Sequence, residues 1–326
     1  MRDQKKIVLI GNPIAGGGAI VKIRRAEAIL QNKGFEVSLK ITARKGDAES
    51  FARETASCPD TMVVVAGGDG TYNEVANGLV YSDTPMAILP LGTTSVLARE
   101  LGIPLRTENA LAIALNGKIE TVNIGKVEFC GVPGAATRSA VRHFLLMAGF
   151  GYDGDAVYGV NVKLKRISGQ AAYIVSGLGV IAAYKPEIIS VTASIGDRSD
   201  AEDGLFRLHP DHVILNNGLL ESNSYIAVIS KAAAYGGDFS LTPDANLKSP
   251  YLHVFLHHKK KKIDLIKLLL AIITGKPMLL RDISYFRTSS ISVSGDCRMQ
   301  IDGDYIGRHS AKIEVVRDAL KLIVPA

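Results

Sequence analysis

The sequence predicts an α/β domain with a mostly parallel sheet followed by a β-sandwich domain, and three observations predict it. At 326 residues the chain has room for two domains of the usual roughly 100–200 residues. Up to about residue 128, short β-branched runs alternate with longer amphipathic ones, the pattern of βαβ units and a parallel sheet. From about residue 129 the pattern turns to short strands separated by turn residues, as in a sandwich. The expected domains are therefore 1–128 and 129–326.

Each element follows from its local pattern. Lys5–Ile10, Phe35–Thr42, Thr61–Ala66 and Met86–Leu91 are short runs rich in apolar and β-branched residues and are expected as strands. Between them Ala19–Lys33, Asp47–Ser57 and Thr71–Tyr81 are longer and amphipathic, hence helices, and helical stretches follow at Thr94–Leu101 and Glu108–Asn116. In the second half the expected strands are His143–Ala148, Ile188–Ile195, His212–Leu215, Ser224–Ser230, Tyr251–His257, Ser290–Ser294 and Arg298–Asp302. Two helical pieces interrupt them, Gln170–Tyr184 and Ile263–Thr274.

Composition narrows the class. With 47% hydrophobic and 21% charged residues the chain has material for real cores, which excludes disorder, collagen and coiled coil. The three cysteines, Cys58, Cys130 and Cys297, are odd in number and lack a C-x-x-C pair, so neither a disulfide framework nor a thiolate zinc site is expected. Met1–Lys6 lacks the apolar core of a secretory signal, and the longest apolar stretches, Ala171–Ala183 and Leu265–Ile273, fall short of the ~20 residues of a membrane-spanning helix. The expected setting is the cytoplasm, with attachment to a membrane, if any, from outside. The net charge of +6 hints at an anionic partner, and most of it sits in the lysine run 259–262.

Three strand ends of the first domain carry the chemistry. The first strand closes in Gly11-Asn12-Pro13-Ile14-Ala15-Gly16-Gly17-Gly18 before a helix, where glycines let backbone amides approach an anion and the helix offers its positive end. It is neither G-x-G-x-x-G nor a Walker A loop, since no Gly-Lys-Ser/Thr occurs. The third strand closes in Gly67-Gly68-Asp69-Gly70-Thr71-Tyr72-Asn73-Glu74, which exposes a carboxylate at a tight strand-to-helix turn. Thr71-x-x-Glu74 has the spacing of a capping box, which accounts for those two residues but not for the glycines and Asp69. The fourth strand closes in Pro90-Leu91-Gly92-Thr93-Thr94-Ser95, opening a helix that carries Arg99. Glycine, hydroxyl and amide groups at adjacent strand ends suit a polyphosphate, so nucleotide binding is expected.

At this point the motifs identify a likeness. Asn12-Pro13 with Gly16, GGDGTYNEVANG (Gly67–Gly78) and LPLGTTSVLARELGIP (Leu89–Pro104) resemble the diacylglycerol kinase catalytic-domain family, which holds diacylglycerol, sphingosine and ceramide kinases and bacterial lipid kinases. The likeness continues through Gly149-Phe150-Gly151-Tyr152-Asp153, Gly236-Gly237-Asp238-Phe239, Pro243-Asp244-Ala245 and Ile301-Asp302-Gly303-Asp304, and so spans nearly the whole chain. The resemblance implies ATP- and Mg2+-dependent phosphorylation of a hydroxyl on a lipid such as diacylglycerol or a sphingoid or ceramide-like lipid. ATP would lie in the cleft between a Rossmann-like, NAD-kinase-like domain and the sandwich. The last dozen or so residues of the chain are expected to pack back on the first domain. Asn12, Pro13 and Gly16 would lie by the phosphates, Thr42 near the nucleotide, Gly67, Gly68, Asp69, Gly70, Thr71, Asn73 and Glu74 around the triphosphate, and Gly92 and Thr93 beside it.

The family's Asp-Gly-Glu, whose acids are assigned to deprotonating the substrate, appears here as Asp302-Gly303-Asp304. Phosphoryl transfer asks for alignment, charge neutralisation and an acceptor for the alcohol proton. An ordinary Asp, with pKa ~3.9, can take that proton late in the transfer. Asp69 is thus the expected Mg2+–ATP or general-base residue of the first domain and Asp302 or Asp304 the base of the second, roles the sequence does not separate. Read on its own, Ile301–Asp304 is a hairpin turn. Asp153 and Arg99 are substrate-side candidates. Ser95 stands where family members commonly carry Asn, and Lys248 and Ser249 stand where acids help hold a structural Mg2+, so that second metal site is expected to be absent.

His257-His258-Lys259-Lys260-Lys261-Lys262 precedes the aliphatic Ile263–Thr274, a pairing suited to an anionic membrane surface at its inner, cytoplasmic face, and equally to a solvated loop before a buried helix. Without interleaved aromatics or a recognisable module it does not suggest nucleic acid. His209-Pro210-Asp211-His212 is read as a turn into a strand, because no third metal ligand stands nearby. Nothing in the sequence excludes a homodimer. Two other readings stay open: a NAD kinase, which shares GGDGT but not Tyr72-Asn73-Glu74 or Leu97-Ala98-Arg99, and a non-catalytic lipid- or nucleotide-binding relative.

Overall fold

Apolar runs with no polar alternation call for strands buried on both faces, and the first half of the chain supplies them. In a computed structural model, which describes residues 6–92, 94–130, 141–163, 179, 181, 183–195, 207–236 and 239–326, β1 (Lys6–Gly11), β2 (Glu36–Ile41), β3 (Thr61–Gly67) and β4 (Met86–Pro90) form a parallel sheet in the order β2-β1-β3-β4. Every residue of β3 and β4 is buried. The crossover helices are α1 (Ala19–Asn32), α2 (Asp47–Thr55) and α3 (Asp69–Leu79), followed by α4 (Val96–Glu100) and α5 (Thr107–Asn116). Helix α1 turns Ala19, Ile23, Ala26 and Leu30 inward, the spacing that puts apolar side chains on one face.

The chain divides into two units, Met1–Ile124 with Arg317–Ala326, and Gly125–Val316. The first is the α/β sheet just described, completed by the end of β19 (Ser310–Val324), where Leu322 pairs with Met86 of β4 in parallel. The second is a sandwich of antiparallel strands. One of its sheets runs β9 (Val213–Asn216), β10 (Leu219–Ser224), β8 (Ile189–Ser194), β16 (Ser290–Ser294) and the start of β19; β5 (Lys118–Cys130) pairs with β19 and β6 (Val141–Phe144) with β5. The other runs β15 (Ile283–Thr288), β14 (Leu252–His257), β11 (Ile226–Ser230), β7 (Met147–Gly151), β17 (Arg298–Ile301) and β18 (Asp304–Arg308). Their shared core holds Phe144, Phe150, Val191, Leu220, Val254 and Phe286. A small hairpin, β12 (Ala234–Gly236) with β13 (Phe239–Ser240), and the helices α6 (Tyr152–Lys163) and α7 (Lys262–Ile273) complete it.

The predicted fold class, α/β then sandwich, is what the chain adopts. The element boundaries differ in instructive places. The long strands β5 and β19 were not anticipated, because Glu, Lys, Arg and Asp interrupt their apolar alternation. The single strand expected at His143–Ala148 is two, β6 and β7, while the strand expected at Ser224–Ser230 is β11, begun two residues later at Ile226. Gly151 closes β7, and Tyr152-Asp153 open helix α6. The helix expected at Gln170–Tyr184 falls largely outside the described residues, as do Thr93, Gly237 and Asp238.

Candidate functional site

The order β2-β1-β3-β4 has a switch point between β1 and β3, where the chain leaves neighbouring strands in opposite directions and opens a crevice at their carboxyl ends. Three loops meet there. The amides of Leu91 and Gly92 donate to the Gly67 carbonyl, at 2.8 and 3.1 Å, and Asn12 N–H donates to the Ala66 carbonyl at 2.9 Å. Gly16 and Gly92 are glycine for a steric reason: a Cβ on Gly16 would lie 2.5 Å from the Leu91 carbonyl oxygen, and one on Gly92 would lie 3.0 Å from Gly68 Cα. Beside them Gly17, Gly18 and Gly70 face open space, room for a ligand to approach the backbone.

Side chains lock the loops together. Asn12 Nδ2 donates to the Thr71 hydroxyl at 3.0 Å, while its Oδ1 accepts the Ile14 amide at 3.1 Å. Asp69 accepts the Val96 amide on Oδ2 at 3.0 Å and the Leu97 amide on Oδ1 at 2.9 Å, so a residue on α3 satisfies the orphan amides at the start of α4. Burial pushes the Asp69 carboxyl above the usual carboxylate range, and those amides pull it back. Thr42 is buried at the end of β2 with its hydroxyl directed at the Gly11 carbonyl, 3.4 Å away. The capping box that the Thr71–Glu74 spacing would allow does not form, because the cap of α3 is Gly68, three residues before Thr71. Thr71 serves Asn12 instead, and Glu74 Oε2 accepts the Ala48 amide at the start of α2 at 3.3 Å. Asn73 Oδ1 accepts from Asn77 at 3.1 Å, and Pro13 lies in the β1–α1 turn. Arg99 is exposed, with Nε donating to the Thr94 carbonyl at 3.2 Å.

The sandwich holds the remaining candidates. Asp302 and Gly303, at φ 46 and 83, form the two-residue turn between β17 and β18. Asp302 is also a clamp. Its Oδ2 accepts the Leu145 amide at 2.8 Å and its Oδ1 the amides of Leu146 and Met147, both at 2.9 Å, which fixes the bend between β6 and β7. Asp304 is the first residue of β18 and half-buried. Asp153 is buried in α6, accepts from Gln300 Nε2 at 2.6 Å and from the Tyr235 hydroxyl, and burial pushes its carboxyl up. Gln300 and Tyr235 escaped the sequence reading because neither stands in a motif.

The cradle of open glycines and backbone amides in the first unit fits phosphate oxygens. For a nucleotide-borne Mg2+ the oxygen donor at hand is Asp69, whose two oxygens each accept one amide and keep a further lone pair. A structural divalent cation at residues 246–251 does not fit. The buried Lys231 ammonium donates there to the carbonyls of Ser249 and Tyr251, at 2.5 and 3.1 Å, and Asn246 Oδ1 takes the amides of Lys248 and Ser249, at 3.1 and 2.9 Å. Among the described residues no group of three metal-ligating side chains is placed to hold an ion. His209, His212 and His258 do gather, ring to ring, but Ser284 and the Asn223 carbonyl take both nitrogens of His258.

Comparison with known proteins agrees with both halves of this architecture. The family described as "Diacylglycerol kinase catalytic domain" matches residues 6–127, and "YegS C-terminal NAD kinase beta sandwich-like domain" matches residues 147–324. The chain is 27% identical to a diacylglycerol kinase of Bacillus subtilis (strain 168), covering 93% of this chain and 91% of that one. It is 30% identical to a protein named "Probable lipid kinase YegS-like" of Enterobacter sp. (strain 638), covering 68% of this chain and 74% of that one. A crystal structure of a diacylglycerol kinase from Bacillus anthracis str. Sterne has the same fold, with TM-score 0.69, 21% identity and coverage of 99% and 98%. With its glycine-lined switch point in the first half and its antiparallel sandwich in the second, this chain belongs to the diacylglycerol kinase-like family of lipid kinases.

Proposed function

We propose that the protein transfers the γ-phosphoryl group of ATP to a hydroxyl of a neutral lipid such as diacylglycerol. The observation that carries this reading is the meeting of three glycine-bearing loops at the β1/β3 switch point, tied by Asn12 to Thr71 and by Asp69 to the amides of α4. Backbone amides at such a place bind phosphate oxygens, and the fixed loops hold the phosphates without reorganisation. Mg2+, entering with the nucleotide, would neutralise charge on the β- and γ-oxygens, and Asp69 is the carboxylate that would face it.

In the reaction the lipid oxygen forms a bond to the γ-phosphorus as the bond to the departing ADP oxygen breaks, and the hydroxyl proton passes to a carboxylate. Asp302 is buried and its three amides fix the β6–β7 bend, so the acceptor assigned here is the more accessible Asp304, with Asp302 holding the turn that presents it. Asp153, tied to Gln300 and Tyr235, supports the same turn through Gln300, whose Oε1 accepts the Gly303 amide at 2.8 Å.

The test is transfer of labelled γ-phosphate from ATP into a total lipid extract. Organic-phase product from the wild type, reduced by about 10²- to 10⁴-fold in Asp304→Asn, is expected. Labelled NADP in place of lipid product would make the protein a NAD kinase, and ATP binding without product would make it a non-catalytic relative; either overturns the proposal.

A further inference from the structure

Helix α7 is apolar on two faces, and the fold covers one of them. Leu265, Leu268 and Ile272 face inward and are buried. On the outer side Ile263 is 54% and Leu270 56% exposed, and Leu279, in the short turn Pro277–Leu279 after the helix, is 74% exposed. A helix at the surface of a water-soluble unit ordinarily turns polar residues outward. This one turns out Ile263 and Leu270, two turns apart, beside the exposed Lys262 and Lys267.

At the N-terminal end of the same helix lies a pocket of about 480 Å³, lined by Lys259, Lys260, Lys261 and Lys267 together with His212 and His258. Its acid, Asp264, is engaged by Lys267 at 3.2 Å, and Asp282 pairs with Lys259 at 3.5 Å. Lys260 and Lys261 are exposed and, among the described residues, have no carboxylate partner. Burial lowers His258 to about 4 and moves His212 down as well, so the charge of the pocket is that of its lysines. Fixed positive charge beside an outward apolar stripe is complementary to an anionic headgroup above acyl chains.

We infer that α7 is the membrane-contact element, lying on an anionic phospholipid bilayer with Ile263, Leu270 and Leu279 in the acyl boundary and a headgroup phosphate in the pocket at Lys260 and Lys261. This rests on the lipid-kinase reading for its physiological sense, since a kinase acting on a water-insoluble substrate must meet it at an interface, but the surface itself is independent of catalysis.

The experiment separates the two. The full chain is sedimented with phosphatidylcholine vesicles with and without phosphatidylglycerol, beside Lys260→Gln/Lys261→Gln and Ile263→Asp/Leu270→Asp, all checked for unaltered thermal unfolding. Expected is wild-type binding that needs phosphatidylglycerol and partitioning reduced about tenfold or more in each double variant. Equal partitioning of wild type and variants overturns the inference, as does a change in oligomeric size rather than vesicle binding in the Ile263→Asp/Leu270→Asp protein. Loss of wild-type binding to inorganic phosphate alone, at unchanged ionic strength, would assign the pocket to free phosphate and likewise overturn it. In parallel, phosphorylation of a short-chain diacylglycerol dissolved as monomers is measured in all three proteins. Activity there that the variants retain keeps the kinase reading whatever the vesicles show, and inactivity of the wild type counts against the kinase reading while leaving the vesicle result to stand.

Discussion

At the residue scale the two aspartates of the β17–β18 turn have parted company. Asp302 holds three amides and Asp304 opens the next strand, and this division makes different predictions for the same substitution. Asp302→Asn replaces one of two accepting oxygens by a donor facing buried amides, and should cost about 1–3 kcal/mol in urea unfolding. Asp304→Asn, at a half-buried position, should cost less than Asp302→Asn in the same measurement while removing lipid phosphorylation. Similar unfolding midpoints for the two would remove the distinction. Gly16→Ala probes the loop proposed to hold the nucleotide: its Cβ would meet the Leu91 carbonyl at 2.5 Å, with φ at 156°, and nothing there can yield without moving β4's exit. Strain of about 1–3 kcal/mol is expected, seen in calorimetry as ATP affinity roughly tenfold or more weaker. Residue identity at these places was legible, since Asp69, Gly16 and Asp302 stand in recognisable motifs. Their bonding was not, because Asp69 is separated from Val96 by 27 residues and Asp302 from Leu145 by 157, and no local pattern encodes such pairings.

At the scale of elements, local patterns chose helix or strand well where apolar spacing was strong and poorly where the element answers to a distant neighbour. Helix α3 starts at Asp69, earlier than its capping signature, which leaves the Thr71 and Glu74 side chains to serve Asn12 and the Ala48 amide of other elements. Strand β11 is followed by Lys231, which no local pattern marks for burial; the carbonyls of the 249–251 segment make it tolerable. Burial lowers that ammonium from its ordinary 10.5 to about 7. The unfolded chain therefore holds the Lys231 proton up to a higher pH than the folded one. Stability should rise with pH between about 7 and about 10, and be flat below, where both states are protonated. Lys231→Met should abolish that component of the slope. Parallel pH profiles of wild type and variant in denaturant titrations would count against a lowered lysine.

At the scale of the whole molecule, the chain returns to its first unit at the end. Arg317–Ala326 belongs to the α/β unit, and Leu320, Leu322, Ile323 and Val324 are buried there. Burial of four such side chains, at about 1.5–3 kcal/mol each, approaches the roughly 5–15 kcal/mol of a domain's net stability. A chain ending at Val316 should thus lose cooperative unfolding of the first unit, measured by thermal circular dichroism and limited proteolysis; an intact α/β transition would mean the segment is dispensable. Among the described residues no helix is long and apolar enough to cross a membrane. The outward face of α7, with Ile263 and Leu270 exposed, is the feature through which a lipid surface is proposed to be met. The sequence by itself determined the fold class and the glycine-lined strand ends, because periodicity and turn chemistry are local properties that survive without knowledge of contacts, while the candidate acids of the second half came from the likeness of its motifs to a known family. Tertiary structure alone decided which of those groups are spent on holding the backbone, which strand completes the first sheet and which face of an apolar helix stays uncovered. Each of these depends on which atoms distant segments bring within hydrogen-bonding or packing distance.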